Sequence, residues 1–188
     1  MRERFHQDNQ IQEPGDEYTR KKKHACYKNT EHEDQKMNSN EKATADRWTV
    51  CGKDHVHWGA HGAAGLLFRY APKGEAPTYL LQQRCRWVDQ GGTWGIPGGA
   101  MREGESAEVT ARREAEEEIG PLPSYRITGI DAQDCGGGWK FYVVTADVDH
   151  PFVAFCVRET DATGWFTRDE MRHLSLHPGF RRWLEDHR

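Results

Sequence analysis

The most informative segment of this 188-residue chain runs from Gly98 to Gly120 and reads Gly-Gly-Ala-Met-Arg-Glu-Gly-Glu-Ser-Ala-Glu-Val-Thr-Ala-Arg-Arg-Glu-Ala-Glu-Glu-Glu-Ile-Gly. Its first glycines indicate a turn, and the residues that follow are compatible with roughly four uninterrupted turns of helix. Ser106 is a favourable N-cap, and Gly120, followed by Pro121, ends the helix. The stretch therefore predicts a glycine-rich turn that leads directly into one helix.

Three glutamates of this helix are spaced so that their carboxylates share one face. Glu114, Glu117 and Glu118 stand at positions i, i+3 and i+4. Like charges at this spacing oppose helix formation by about 0.2–0.5 kcal/mol per pair. Such a set of oxygens suits a hard divalent cation, Mg²⁺ or Mn²⁺. The alternative is an acidic, solvated helix face, and we expect these carboxylates to be exposed.

The opposite edge of the helix carries small and apolar residues. Ala107, Ala111 and Ala115 recur at a spacing of four, and Ile119 completes the row. This pattern predicts that the helix lies close against a sheet. Arg113 is adjacent to Glu114 and is placed to orient a ligand carboxylate.

The fixed positions of the stretch resemble the signature box of the Nudix hydrolases, Gly-x5-Glu-x7-Arg-Glu-U-x-Glu-Glu-x-Gly-U, where U is a bulky aliphatic residue. The chain departs from the pattern at Ala115, the first U, and at Pro121, the last. The resemblance implies an α/β fold, the Nudix α/β/α sandwich with a mixed β-sheet between helices. The seven fixed residues that match are Gly99, Glu105, Arg113, Glu114, Glu117, Glu118 and Gly120.

The resemblance also implies roles for single residues. Many MutT-like members carry a further acid on the loop before an aromatic strand, and Glu159, six residues before Trp165, matches it, with Asp161 as the nearby substitute. Which glutamate acts as the general base stays open. The implied catalytic residues are Arg113, Glu114, Glu117, Glu118 and Glu159. The implied ligands of Mg²⁺ or Mn²⁺ are the Gly98 carbonyl, Glu114, Glu117, Glu118 and Glu159, and the supporting residues are Gly99, Glu105 and Gly120.

The implied reaction is metal-dependent hydrolysis of the pyrophosphate bond in a nucleoside diphosphate linked to another moiety. The compact catalytic unit and Trp165 favour a MutT-like (deoxy)nucleoside triphosphate pyrophosphatase that acts on oxidised guanine nucleotides. The alternatives are a hydrolase of ADP-ribose or another nucleotide sugar, and a nucleotide-binding sensor without turnover. Trp87, Trp94 and Trp139 are candidates for stacking on a base, although packing in the core is the default interpretation for each.

Residues 1–47 differ in composition from the rest of the chain. They contain no Leu, Val or Trp, and ten basic residues balance ten acidic ones. Such a segment cannot bury enough apolar surface to offset the entropy of ordering, so it predicts a flexible charged tail before a catalytic domain at residues 48–188. The basic run Arg20-Lys21-Lys22-Lys23 is interpreted as part of this solvated tail.

Composition limits the partners of the chain. The net charge of −4 indicates no clear nucleic-acid surface, and no apolar run approaches the ~18 residues of a membrane span. The five cysteines are odd in number and widely spaced, which predicts reduced thiols in a cytoplasmic protein. A nucleotide substrate is the expected partner. The oligomeric state stays open, a homodimer included.

A short segment rich in histidine raises the question of zinc. Cys51, His55, His57 and His61 lie close in sequence, but their spacing fits no common zinc-finger pattern and no second ligand pair follows. Surface or strand-entry histidines are therefore the default interpretation, and metal binding by this segment stays open.

Apolar and β-branched runs predict the remaining elements. The turn between the first two strands contains two prolines, and three consecutive glycines separate the third strand from the fourth. The predicted strands cover residues 63–70, 78–84, 125–135, 139–148, 152–157 and 163–167, and the predicted later helices begin near Thr167 or Asp169 and at Phe180.

Overall fold

A computed structural model of the chain describes residues 47–157 and 159–187. The predictions of a flexible tail and a solvated basic run fall on residues outside this part of the chain. The strands are β1 (Trp48–Val50), β2 (Val56–Trp58), β3 (Ala63–Tyr70), β4 (Thr78–Arg84), β5 (Trp94–Gly95), β6 (Gly98–Ala100), β7 (Arg126–Asp134), β8 (Lys140–Asp147) and β9 (Thr160–Thr167), and the helices are α1 (Ala107–Ile119), α2 (Arg168–Met171) and α3 (Pro178–Asp186).

Strand β3 is the centre of the main sheet. It pairs with β8 in parallel and with β4 and β6 in antiparallel orientation. The strand order along the sheet is β5-β4-β3-β8-β7. Two further strands lie off this path: β9 pairs with β4, and β6 pairs with β3. The sheet is therefore mixed, and β1 and β2 form a separate two-stranded sheet.

The two faces of the main sheet are covered by different helices. Leu66 and Phe68 of β3 belong to the same buried cluster as Ala111 and Ala115 of α1. Leu67, between them in sequence, belongs to a second cluster that includes Met171 of α2 and Phe180 and Trp183 of α3. Because successive strand residues point to opposite faces, the sheet lies between two helical layers. This confirms the α/β/α sandwich with a mixed sheet.

Helix α1 has the predicted ends and the predicted buried edge. The Ser106 side chain accepts a hydrogen bond from the Val109 N–H at 3.3 Å, and Gly120 closes the helix with a φ of 79°. Ala111, Ala115 and Ile119 are fully buried against the sheet. Within the described part of the chain, no helix combines the length and the apolar character that a membrane crossing requires.

The predicted strand at residues 152–157 is wrong. The segment pairs with none of the described strands, and its backbone bonds to the end of α1 instead. The Phe155 N–H donates to the Ile119 carbonyl at 3.0 Å, and the Val157 N–H donates to the Glu118 carbonyl at 3.2 Å. These bonds satisfy carbonyls that the last turn of a helix leaves free. An apolar run whose backbone partners lie on a helix end looks like a strand in sequence.

The prediction of reduced thiols holds for three of the described cysteines. Cys51, Cys85 and Cys135 are buried and are not joined in disulfides. Cys156 is disulfide-bonded, so the prediction is wrong for this residue. The number and spacing of cysteines do not determine which thiols approach each other in space.

Candidate active site

The glycines before α1 let the backbone of β6 lie directly on β3. Gly98 is opposite Gly65 in the antiparallel register. A Cβ atom at Gly98 would lie 2.5 Å from the Ala64 carbonyl oxygen, closer than real Cβ contacts come. The sheet therefore has no room for a side chain at this position, and β6 is held directly beside the acidic face of α1.

Glu118 is the carboxylate that this arrangement buries. Its Oε2 accepts hydrogen bonds from the Gly98 N–H at 2.8 Å and from Gln82 Nε2 at 2.7 Å. Burial raises the pKa of Glu118 to about 8, the charge of nearby Glu114 adds to the rise, and the two hydrogen bonds oppose it. Glu118 is thus held in an environment that disfavours its charged form in the absence of a cation.

The expectation that all three carboxylates are exposed is wrong for two of them. Glu118 is only 9% exposed and the Glu114 side chain 16%, whereas the Glu117 side chain is 42% exposed. The reason is that α1 packs against β3 and β6 through the turn that carries Glu114 and Glu118. A helical spacing shows which residues share a face but not how far the neighbouring strand covers it.

The Glu114 carboxylate leaves no room for a side chain at residue 99, so this position requires glycine. A Cβ atom at Gly99 would lie 2.5 Å from one oxygen of Glu114 and 2.8 Å from the other. Glu114 and Glu118 therefore both lie against the Gly98–Gly99 backbone. The structure brings these four residues together. Glu117 is linked to them by Arg113, which contacts both Glu114 and Glu117.

Arg113 connects the glutamates. Its guanidinium donates to Glu105 Oε1 and Oε2 at 3.0 and 2.9 Å, to Glu114 Oε1 at 2.5 Å and to the Ala100 carbonyl at 3.0 Å. Glu117 lies 3.6 Å from the same guanidinium. Arg113 thus fixes the positions of the Glu114 carboxylate and of the backbone at the end of β6.

Glu105 anchors this network from the loop before α1. Besides Arg113, it accepts bonds from the Arg102 N–H at 3.1 Å and from Thr110 Oγ1 at 2.7 Å. Burial alone would raise the pKa of Glu105, but the bonds from Arg113, Thr110 and the Arg102 N–H outweigh it and hold the pKa at about 2. The charged form of Glu105 is therefore strongly stabilised by the fold.

This depressed pKa predicts an acid-dependent stability. The Glu105 contribution is present above the unfolded pKa of 4.5 and is lost as pH falls through the folded value of about 2. We expect Glu105→Gln to lower the free energy of unfolding by about 3 kcal/mol at pH 7 and by progressively less below pH ~4.5. Urea unfolding across this range measures it, with Glu103→Gln, an exposed neighbour, as control. An unchanged pH dependence in Glu105→Gln would contradict this role.

A second prediction concerns Gly99. Gly99→Ala should leave the protein folded but displace the Glu114 carboxylate, because the clash is with the end of a flexible side chain. We expect turnover to fall about 10²-fold with a small change in thermal stability, since misplacement of catalytic groups by about 1 Å has this effect. Gly129→Ala in β7, where a Cβ atom meets nothing within 4 Å, is the matched control. Equal turnover in the two variants would exclude a role for this contact.

The structure does not join Glu159 to the box carboxylates by any contact among the described residues. Glu159 is exposed, and its carbonyl accepts the Cys85 N–H at 2.8 Å. Asp161 is also exposed, and its Oδ1 accepts from Cys85 Sγ at 3.3 Å. The adjacent Thr160 donates to the Glu118 carbonyl at 3.2 Å. Glu159 is therefore next in sequence to a residue that contacts the last turn of α1, although its own side chain is exposed.

Two polar residues of the site were missed by sequence reasoning. Gln82 is buried in β4, where its Nε2 donates to Glu118 and its Oε1 accepts from Thr160 Oγ1 at 2.7 Å. Both residues are fully or nearly fully buried. The available signal was a glutamine that directly follows the apolar run Tyr79–Leu81 in a predicted strand, because a buried amide requires hydrogen-bond partners.

The tryptophan candidates occupy three different environments. Trp94 is buried in the core, which confirms the default interpretation for it. Trp87 is 74% exposed, so core packing is wrong for this residue. Trp139 is partly buried and stacks on His57 with ring centroids 3.9 Å apart. Stacking on a base is therefore sterically available to Trp87 but not to the buried Trp94.

Most of the described part of the chain matches a known protein family. The NUDIX domain model matches residues 59–187. "Putative 8-oxo-dGTP diphosphatase 3" of Mycobacterium tuberculosis is 40% identical over 141 residues, which cover 72% of this chain and 65% of the relative. The chain thus spans a little less than two thirds of the length of this relative.

Solved structures show the same fold. The crystal structure of a Nudix hydrolase from M. smegmatis, RenU, has a TM-score of 0.65 and 37% identity, and the match covers 75% of this chain and 91% of that one. The NUDIX domain of Shewanella oneidensis NrtR, complexed with ADP ribose, has a TM-score of 0.50 and 16% identity over 80% of this chain and 97% of that one. At this identity the second likeness concerns the fold alone. The chain belongs to the Nudix hydrolase family.

Proposed function

We propose that this protein hydrolyses (deoxy)nucleoside triphosphates to the monophosphate and pyrophosphate, with oxidised guanine nucleotides as preferred substrates and Mg²⁺ or Mn²⁺ as cofactor. The observation that carries the proposal is the packing of the Glu114 and Glu118 carboxylates against the Gly98–Gly99 backbone. The name of the M. tuberculosis relative supports the choice of substrate class.

The donor set fits a hard divalent cation. Two carboxylates that repel each other lie side by side, one of them with a pKa raised to about 8, and no cationic group hydrogen-bonds to Glu118 in the described residues. A cation beside these oxygens would offset both the repulsion between the two carboxylates and the cost of burying the charge of Glu118. Glu114, Glu117 and Glu118 would hold it together with the Gly98 carbonyl, and Glu159 remains a candidate ligand.

When bound, the cation neutralises charge on the pyrophosphate and activates water for attack at phosphorus. The chain's own groups supply position and proton transfer. Arg113 holds Glu114 in place, and Gln82 with the Gly98 N–H fixes one oxygen of Glu118. The general base is one of Glu114, Glu117, Glu118 and Glu159, whose carboxylates can accept the proton of the attacking water.

A substrate panel tests the proposal. Purified protein with Mg²⁺ or Mn²⁺ is given 8-oxo-dGTP, dGTP and ADP-ribose, and the products are separated by ion-exchange chromatography. We expect 8-oxo-dGTP to be cleaved to the monophosphate with the highest kcat/KM, and no cleavage in EDTA. Preference for ADP-ribose would favour the nucleotide-sugar alternative. Binding of nucleotide without cleavage of any substrate would favour the sensor.

A further inference from the structure

A second set of metal-binding side chains lies outside the glutamate network, between the β1–β2 hairpin and the turn after β7. One ligand atom from each of Cys51, His55, His57 and Cys135 lies within 4.8 Å of every other. Cys135 Sγ is 3.0 Å from Cys51 Sγ, 3.1 Å from His57 Nε2 and 3.4 Å from His55 Nδ1. His61, which the sequence grouped with the first three, is not among them.

We propose that Cys51, His55, His57 and Cys135 form a structural zinc site. Two thiolates and two neutral imidazoles are a preferred donor set of zinc, and two thiolate charges balance the Zn²⁺ charge. Around a tetrahedral zinc, these donor atoms would lie roughly 3.3–3.8 Å apart. The observed separations of 3.0–3.4 Å from Cys135 Sγ would have to expand by less than about 1 Å. The other pairs of donor atoms are at most 4.8 Å apart and would have to contract by about 1 Å or less.

The hairpin turn presents the first three donors. The Asp54 N–H donates to the Cys51 carbonyl at 3.0 Å, and the Cys51 N–H donates to the His55 carbonyl at 2.9 Å. The Lys53 N–H points at Cys51 Sγ at 3.4 Å, an arrangement that stabilises negative charge on the sulfur. The turn thus directs the Cys51 thiol and the two histidines after it toward one point.

Cys135 reaches the same point because two glycine backbones touch. A Cβ atom at Gly52 would lie 2.6 Å from the Gly137 nitrogen, and one at Gly137 would lie 2.7 Å from the Gly52 nitrogen. Gly137 also has a φ of 65°, which favours glycine. Side chains at either position would separate the residues that follow Cys51 from those that follow Cys135.

Trp139 holds the His57 ring in place. The two rings are nearly parallel, with an interplanar angle of 12° and centroids 3.9 Å apart. The indole N–H of Trp139 donates to the Gly59 carbonyl at 2.9 Å, which fixes the indole in turn. An imidazole oriented by its surroundings is a feature of protein metal sites.

The β1–β2 hairpin is a part of the fold that benefits from such a link. Its strands pair only with each other among the described strands. Trp48, Val50 and Val56 are each more than half exposed, so the hairpin buries little apolar surface. Because a two-stranded hairpin is marginally stable alone, a zinc that joins it to the turn after β7 would stabilise it.

Zinc content of the full-length protein tests the proposal. Protein purified under reducing conditions is incubated with Zn²⁺ and dialysed against metal-free buffer. Its zinc content is then measured by inductively coupled plasma mass spectrometry. We expect one zinc per chain in wild type, and a loss to near zero in Cys51→Ser and in Cys135→Ser. His61→Gln and Cys85→Ser are the matched controls and should keep the metal, as should Glu118→Gln in the active site.

Cobalt supplies a readout that needs no variant. Co²⁺ added to reduced, metal-free wild type should show the intense ligand-field bands of tetrahedral coordination and thiolate-to-cobalt charge transfer, and Zn²⁺ should abolish both. Absence of stoichiometric zinc and of these bands in reduced wild type would overturn the proposal. So would peptide mapping that finds Cys51 and Cys135 joined in a disulfide in the zinc-treated protein, because a disulfide removes both thiolates.

Discussion

Replacement of Glu118 by glutamine is expected to lower kcat for 8-oxo-dGTP hydrolysis by about 10²–10⁴-fold, the effect of removing a general base or a ligand of the catalytic metal. Glutamine keeps the shape of the side chain and can still accept the Gly98 N–H. The substitution also removes a buried carboxylate, which is unfavourable in the metal-free fold. We therefore expect the thermal unfolding temperature of the metal-free variant to be unchanged or higher.

Glu116→Gln is the control for this prediction. Glu116 belongs to the same helix, but its side chain is 48% exposed and its partner is Arg112 at 3.8 Å, on the solvent side. Its kcat should stay within about twofold of wild type, because exposed ion pairs contribute little. If Glu116→Gln and Glu118→Gln lost activity equally, the charge of the helix rather than the position of Glu118 would be responsible.

The second large effect is expected at Arg113. Arg113→Ala should lower the free energy of unfolding by about 3–5 kcal/mol, because it leaves Glu105 buried without its principal partner. Arg113→Lys should recover only part of the loss, since an ammonium cannot bind Glu105, Glu114 and the Ala100 carbonyl together. Urea unfolding at pH 7 measures both variants.

Arg112→Ala separates this effect from a general loss of positive charge on α1. Arg112 is 56% exposed, and its ion pair with Glu116 is long, 3.8 Å, and lies within the helix. We expect this control to cost less than about 1 kcal/mol. Similar losses for Arg112→Ala and Arg113→Ala would show that the buried network does not stabilise the fold.

Local signals in the sequence were sufficient for most of the fold. Strands β3 and β4 have the predicted bounds because each is an apolar run between turn residues. The ends of α1 follow from Ser106 and Gly120, whose capping roles depend only on neighbouring residues. The segment at residues 152–157 was misassigned because its backbone bonds the end of α1, which lies more than thirty residues earlier.

In the candidate site, too, the sequence predicted what depends on neighbouring residues and missed what depends on residues distant in sequence. The i, i+3, i+4 spacing placed three glutamates on one face, but the burial of Glu118 depends on β4 and β6, which approach only in the fold. Gln82 was missed for this reason. The Cys/His cluster is a further case, since Cys135 is separated from His57 by 78 residues and no short spacing could connect them.

Mn²⁺ binding, measured by electron paramagnetic resonance in protein treated with Zn²⁺ and dialysed, tests whether the carboxylates beside Gly98–Gly99 hold a divalent cation. We predict that wild type and Glu116→Gln bind Mn²⁺ with the same affinity in the presence of nucleotide. The Glu114→Gln/Glu118→Gln double variant should bind it at least about 10²-fold more weakly. Undiminished Mn²⁺ binding by the double variant would show that these carboxylates do not hold the cation.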